Sequence, residues 1–453
     1  MEILSSLFYF IIIFGVLVLV HEFGHFITAK FFKMRAEVFA IGMGKRLFGW
    51  NKKSRFSFGS LPRDLDLENH TDYRVSMFPI GGYVKIAGMI DESMDTNFLS
   101  HDPQPWEFRA KPIWQRSIVM CAGVAMNVLL AICIFWGIIY YNGKIVRPIT
   151  EIGYVVPNSA AAHAGLQVGD KIVAINNHVM KQWDDVESLI YTESAAHDMV
   201  FQVQRNDSVK LLTVQHATLP DLTQERFGIL PAGLVPVVQA VEKGKPAEAI
   251  GLQPNDTILA VNGTRINSGS LPEVVKANAE KEILLTWKRG TQTMETKVTP
   301  TKEGRIGISL SVAYYGPVLH ENYTIIEALP AGIHEVVFAS QLFLTNIYQI
   351  IVGKASFSNS VGGPVKIAQM ANQSAESGIT SFLGFLALLS ITLALINILP
   401  FPALDGGHLA FLVFEAIFKR EVPDKIRIIV QQIGFFILLA FMVFVLYNDV
   451  VHF

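Results

Sequence analysis

The 453-residue chain is 51% hydrophobic and only 17% charged, against about 25% charged in an ordinary soluble domain. That excludes a conventional soluble enzyme and points to a polytopic membrane protein with sizeable soluble parts. The formal net charge of −2 argues against nucleic acid as a partner, and Cys121 and Cys133, about 18 Å apart along one apolar helix, cannot bond to each other.

Residues 1–32 form the first expected span, with an almost unbroken apolar run over Leu7–Val20. The stretch lacks a basic leading segment and a small-residue cleavage site, so it reads as a retained helix rather than a signal peptide. It runs directly into His21-Glu22-Phe23-Gly24-His25. Residues four apart share a helix face, so both imidazoles could hold one Zn²⁺. Glu22 between them is placed to act as general base on a water at the metal. Ionisable groups inside an apolar helix are costly and by default mark function.

Residues 33–112 read as a loop. Asn51–Asp72 and Asp91–Pro105 are polar and turn-rich, and are expected to be mobile. Between them, Tyr73–Ile86 alternates like a β-hairpin with Gly81-Gly82 at its turn. This membrane-associated hairpin, at about 73–90, either offers an edge to an unwound peptide or is plain structure. The second span is 113–141.

The segment after it contains a repeat. Gly165-Leu166-Gln167, Asp170, Ile172, Ala174 and Asn176 recur 86 residues later as Gly251-Leu252-Gln253, Asp256, Ile258, Ala260 and Asn262. Each copy reads as a helix, a glycine cap, a turn with Asp, and a strand. The pattern resembles a PDZ domain, and two tandem copies are expected at 145–222 and 223–305. Such domains bind C-terminal peptides by strand addition. Phe227-Gly228-Ile229 in the second copy resembles the carboxylate-binding loop. The alternative is a groove that binds nothing and acts as a size filter.

Residues 317–380 read as a linker with an interfacial amphipathic helix, because His334, Glu335, Asn346 and Gln349 interrupt its apolar run. The third span, 381–418, is broken by Pro400 and Pro402 just before Asp405-Gly406-Gly407-His408. The fourth is 428–447. Lys and Arg crowd 33–112 and the link at 419–427. By the positive-inside rule both are cytoplasmic, and both termini and 142–380 are outside. The histidine motif then lies nearer the cytoplasmic face. A catalytic zinc takes three protein ligands plus water. Asp405 is the best third ligand, and His408 is its rival.

HEFGH in a first span, Asn397-x-x-Pro-x-Pro-x-Leu-Asp-Gly-Gly in a penultimate one, and paired PDZ-like repeats between them resemble the site-2 protease family of intramembrane zinc metalloproteases. The resemblance covers essentially the whole chain and is closest to the bacterial regulator-of-sigma-E branch. It implies His21, His25 and Asp405 as zinc ligands and Glu22 as the catalytic glutamate. It further implies Asn397 as a polar group holding substrate or transition state, and Gly81, Gly82, Tyr83 and Val84 as part of a membrane-associated β-loop. Ser360–Pro364 matches a Gly-Pro motif, and Asn127 a polar position on the second span. Val124 departs from the proline usual in relatives. The architecture implied is a four-span α-helical inner-membrane protein with two periplasmic PDZ domains. The activity implied is the second cut of a single-span anti-sigma factor, with remnant signal peptides as further substrates. A PDZ scaffold without proteolysis would not need Glu22. A metal-ion transporter typically shows repeated membrane halves, and the only repeat found lies outside the expected spans.

Overall fold

The computed structural model describes residues 2–62, 65, 67–89, 102–193, 198–215, 227–267, 269–353 and 362–451. The chain forms two compact units. One comprises 1–143, 322–343 and 357–453, and the other 144–321 and 344–356.

The first unit begins with α1 (Glu2–Phe31), which carries the HEFGH motif in its last third. It continues through β1 (Ala36–Asn51), β2 (Arg55–Phe58) and β3 (Asp72–Ile86) to α2 (Ile113–Asn142). The stretch expected to be a hairpin is corrected here. Its two halves do not pair with each other; β3 pairs with β1. Phe39 lies opposite both Val84 and Tyr73, and Ala40 opposite both Tyr83 and Arg74. The segment 38–41 therefore sits between the two ends of a bent β3. Both strands turn on glycines with positive φ, Gly42 and Gly44 in β1 and Gly81 in β3, which L side chains rarely tolerate. Gly82 continues in the ladder opposite Ile41.

Asn51–Asp72, expected to be mobile, contains β2 and ends in a buried anchor. Arg46 Nε donates to Asp72 Oδ2 at 3.1 Å, and Arg46 Nη1 donates to Ser57 O at 3.0 Å and to Gly59 O at 2.7 Å. The other stretch expected to be mobile, Asp91–Pro105, lies outside the described residues up to residue 101.

The second unit opens with β4 (Lys144–Val146) and β5 (Ile152–Val155). The first copy of the repeat follows as α3 (Ala160–His163), β6 (Lys171–Ile175), β7 (His178–Val179), α4 (Trp183–Glu193), β8 (Met199–Arg205) and β9 (Ser208–Val214). β10 (Ile229–Pro231) and β11 (Leu234–Val241) lead to the second copy. This is α5 (Pro246–Ala249), β12 (Thr257–Val261), β13 (Thr264–Arg265), α6 (Ser270–Ala277), β14 (Ile283–Arg289) and β15 (Gln292–Val298). β16 (Ile308–Tyr314) follows, and β17 (Leu319–Glu321) pairs back to β4. Each copy has its own apolar core, around Trp183, Ile172 and Phe201 in the first and around Trp287, Ile258 and Leu271 in the second.

The expected boundaries between the copies are also corrected. Phe227 and Ile229 belong to the first core, where Phe227 stacks on Phe201 at 5.4 Å, and β10 pairs with β5. The backbone bonds make the assignment. Val156 N donates to Gly228 O (2.8 Å) and Ala161 N to Phe227 O (3.3 Å); 86 residues on, Glu242 N donates to Gly307 O (2.9 Å) and Ala247 N to Ile306 O (2.8 Å). The loop of the second copy is thus Ile306-Gly307-Ile308. Each copy is completed by a strand beyond its expected end, β10 past residue 222 and β16 past residue 305.

One polar clamp recurs in both copies. Arg205 binds both carboxylate oxygens of Asp170 at 2.6 and 2.7 Å, and Arg289 binds those of Asp256 at 2.8 and 2.7 Å. Burial alone would raise the Asp256 carboxyl. Hydrogen bonds from Arg289 and the Gln253 N–H outweigh it and hold the group below the ordinary carboxylate value.

The chain then forms α7 (Ile325–Ile351), whose first part to residue 343 belongs to the first unit, and, within the first unit again, α8 (Pro364–Glu376), α9 (Ile379–Asn397), α10 (Asp405–Phe418) and α11 (Asp424–Val451). By length and apolar composition α1, α2, α7, α9 and α11 could each cross a membrane. The stretch expected to hold an interfacial helix thus carries a fifth candidate span, 27 residues long. The stretch expected as one broken span is two helices, separated at 398–404. Gly363-Pro364 opens α8, where the Asp449 carboxylate accepts from Gly363 N (2.8 Å) and Val365 N (3.0 Å); the Ser360 end of that motif lies outside the described residues. Arg116 on α2 makes a two-pronged buried pair with Glu415 on α10, at 3.1 and 2.6 Å.

A carboxylate with a depressed pKa contributes stability above its unfolded pKa of about 3.9 and loses it as pH falls through the folded value. Arg289→Met should therefore lower the unfolding temperature at pH 7 and at pH 5. The gap from the parent should close below about pH 4, as followed by circular dichroism.

Candidate metal centre

His21 and His25 are both buried on one face of α1. Their Nε2 atoms lie 3.3 Å apart. Asp405, at the first turn of α10, brings Oδ2 to 3.0 Å from His21 Nε2 and 3.2 Å from His25 Nε2. These three are the group of metal-ligand type found among the described residues. Ligands bonded at about 2.0–2.1 Å to a tetrahedral Zn²⁺ lie roughly 3.3 Å from one another, so the triangle has the size that zinc requires. Asp405 Oδ2 is buried and makes no hydrogen bond. A buried carboxylate oxygen without a donor calls for a cation.

The surroundings orient the imidazoles. His25 Nδ1 donates to Val119 O at 2.8 Å, which leaves Nε2 as the lone-pair nitrogen facing the centre. The Asn127 amide lies 3.3 Å from His21 Nδ1. With its oxygen turned to the ring it accepts the Nδ1–H, and Asn127 Oδ1, otherwise a buried oxygen without a partner, is satisfied. Asn397 Nδ2 lies 3.4 Å from His21 Nε2, on the side of the centre. His408, the rival ligand, stands outside the triangle and meets Gln431 Nε2 at 2.8 Å through its own Nε2.

Glycines allow the elements to approach this closely. A Cβ on Gly24 would collide with Ala122 O, and a Cβ on Gly123 would fall on His25 Nε2 and within 2.8 Å of His21 Nε2. The α1–α2 crossing is thus made of bare backbone at the height of the histidines. Past the break, Cβ atoms on Gly406 and Gly407 would meet Leu399 O and Phe401 O, so the Asp405 turn folds back onto the 398–404 loop only as Asp-Gly-Gly. Val119 and Gly123 were not singled out from the sequence, although the small-residue run Ala122-Gly123-Val124-Ala125 was the available signal. α2 runs unbroken through Val124.

A cavity of about 310 Å³ opens beside the triangle, lined by Glu22, His25, Tyr83, Val84, Asp405 and His408 among others. Glu22 Oε2 accepts a hydrogen bond from the Val84 N–H at 3.0 Å. Gly81 and Gly82 shape the bend of β3, with Gly82 close against Ala40 O. Phe227, Gly228 and Ile229 belong to the other unit.

A family model described as peptidase family M50 matches residues 9–441. The chain belongs to peptidase family M50. As an M50 peptidase it is a zinc metalloprotease of the site-2 type. A putative zinc metalloprotease of Vibrio cholerae is 30% identical to it over 471 residues, covering 99% of both chains. A regulator of sigma E protease from Haemophilus influenzae is 30% identical over 464 residues, again 99% of both. The regulator of sigma-E protease RseP of Escherichia coli is 29% identical over 460 residues, 97% of both.

Gly123→Ala should abolish zinc binding while α1 and α2 remain helical. Metal analysis of the detergent-purified variant should find well under one zinc per chain at unchanged helical content; a full zinc complement would mean that the triangle does not hold the metal.

Proposed function

We propose that this M50 peptidase hydrolyses peptide bonds within the transmembrane segments of single-span proteins. The observation that carries the reading is the convergence of His21, His25 and Asp405 beside a cavity that also holds Glu22. Those three would be the zinc ligands and Glu22 the catalytic base. Bound there, zinc supplies Lewis acidity, polarising the scissile carbonyl and acidifying water. Glu22 takes the proton from the attacking water and passes it to the leaving amine. Asn397 donates from the side of the centre to the carbonyl oxygen as charge develops on it. A helical substrate hides its amides in i→i−4 bonds and must unwind before attack. The end of β3 offers the unwound strand an edge: β3 is the terminal strand of its sheet, and Tyr83 and Val84 line the cavity.

The natural substrate would be an anti-sigma factor already trimmed outside, with remnant signal peptides as a second class. The relatives named regulator of sigma E protease support an anti-sigma factor as the substrate class. The protein would be a multi-pass inner-membrane protein in which α1, α2, α9 and α11 cross and α7 stays on the periplasmic side, so that termini and repeats are periplasmic and the basic segments at 33–112 and 419–427 cytoplasmic. The repeats are read as two PDZ domains, at about 144–231 and 232–314. The second has a groove of about 390 Å³ between α6 and β16, lined by Leu271, Val275, Lys276, Arg305, Ile308 and Leu310. β16 is the terminal strand of its sheet, which suits a peptide added as a further strand. The pair would exclude substrates that still carry a bulky outer domain.

Glu22→Gln should lower cleavage of a model single-span substrate by at least about a hundredfold with zinc content unchanged; cleavage at the parental rate would overturn the protease mechanism. Deleting 144–314 should allow cleavage of substrate with its outer domain intact, scored by gel shift, and continued rejection would remove the gating role.

A further inference from the structure

We propose that Glu22 and the incoming substrate strand compete for one backbone donor, the Val84 N–H, so that the base is freed for proton transfer only when a strand is seated on β3. The inference rests on the reading of Glu22 as general base.

Val84 lies opposite Phe39 in the β1–β3 ladder, yet its N–H points the other way and bonds Glu22 Oε2 at 3.0 Å. Alternate N–H groups of a strand face the same edge, so Gly82, Val84 and Ile86 present theirs to one side. No further strand pairs with that edge among the described residues. It borders the cavity that contains Glu22 and Asp405. A substrate laid antiparallel along 82–86 needs the Val84 N–H for its central hydrogen bond, and that is the bond the carboxylate now holds.

The competition sets a threshold. A carboxylate is a stronger acceptor than a neutral carbonyl, by roughly a factor of two in energy. One substrate carbonyl therefore cannot displace Glu22 alone. A segment that also bonds Gly82 and Ile86 gains enough to do so, and reaching all three takes about 13 Å of extended chain. A helical segment, with its backbone groups already paired, or a peptide of two residues falls below that threshold. The device makes unwinding a condition for assembling the base, beyond its role in exposing the amide. Val84 is then a positioning residue that acts through Glu22.

The test compares two substrates on the full-length enzyme in detergent. One is a model single-span protein; the other is a fluorogenic dipeptide amide too short to span Gly82–Ile86. Val84→Pro removes the N–H at a point where β1 does not use it, and an edge strand tolerates proline there. Val84→Ala keeps the N–H and controls for the side chain. Zinc content reports whether the site is intact. Should Val84→Pro lose zinc, an ester in place of the Tyr83–Val84 amide removes the same hydrogen with less change in shape. The expected result is opposite signs. The modified enzyme cleaves the dipeptide amide several-fold faster through kcat, and the single-span substrate about tenfold less efficiently through KM, while Val84→Ala leaves the ratio of the two near the parental value. Parallel loss on both substrates, or no change on either, would overturn the competition. A parent that cleaves nothing in a Glu22-dependent way would overturn the underlying protease reading instead.

Discussion

Three lone-pair atoms, His21 Nε2, His25 Nε2 and Asp405 Oδ2, are held 3.0–3.3 Å apart with no hydrogen bond to the carboxylate oxygen. Without a cation that arrangement is repulsive. Much of the first unit serves to impose it. α1 supplies two of the atoms, α2 supplies bare backbone at Gly123 and a carbonyl at Val119, and the break before α10 supplies the third. Val119 O fixes the tautomer of His25 and Asn127 meets the outer nitrogen of His21, so the candidate metal centre depends on α2 as much as on the three residues of ligand type.

The second unit follows a different logic. In each copy the strand that completes the core comes after the repeat pattern has ended. β10 closes the first copy, and β16 closes the second along the edge of a larger sheet. The same closing segment carries the Phe227-Gly228-Ile229 or Ile306-Gly307-Ile308 loop, and in the second copy it also lines the groove between α6 and β16. A shared Asp–Arg clamp ties the turn before the central strand to the following hairpin in both copies.

How much could be read from the chain depended on whether a residue's chemistry or its partner mattered. His21, Glu22, His25 and Asp405 stand out because charge in an apolar stretch has few explanations, and the prolines mark the break that α9 and α10 display. The sheet beside them was less legible. Tyr73–Ile86 alternates as a hairpin would, and nothing in that stretch reveals that its partner is Ala36–Asn51, bent at Gly42 and Gly44. The boundary at 222 failed for a related reason: pairing between β10 and β5 spans some seventy residues, and such pairing leaves no local signal. In the sequence α7 reads as interfacial because His334, Glu335, Asn346 and Gln349 dilute its apolar run, yet its length and composition suffice for a span.

The Arg116–Glu415 pair has a consequence for motion. Arg116 lies seven residues, or about 10 Å, before Gly123 on α2, and Glu415 lies ten residues, or about 15 Å, beyond Asp405 on α10. The pair is buried and two-pronged. Sliding α10 along α2 by even one turn would pull these opposite charges apart in a poorly solvated place, at a cost of several kcal/mol. The helix carrying Asp405 and the helix orienting the histidines therefore behave as one stiff jaw. Opening for a substrate would fall instead to the β1–β3 sheet, where a bend at Gly81 strains the partly exposed Lys85–Glu37 pair rather than the buried Arg46–Asp72 anchor.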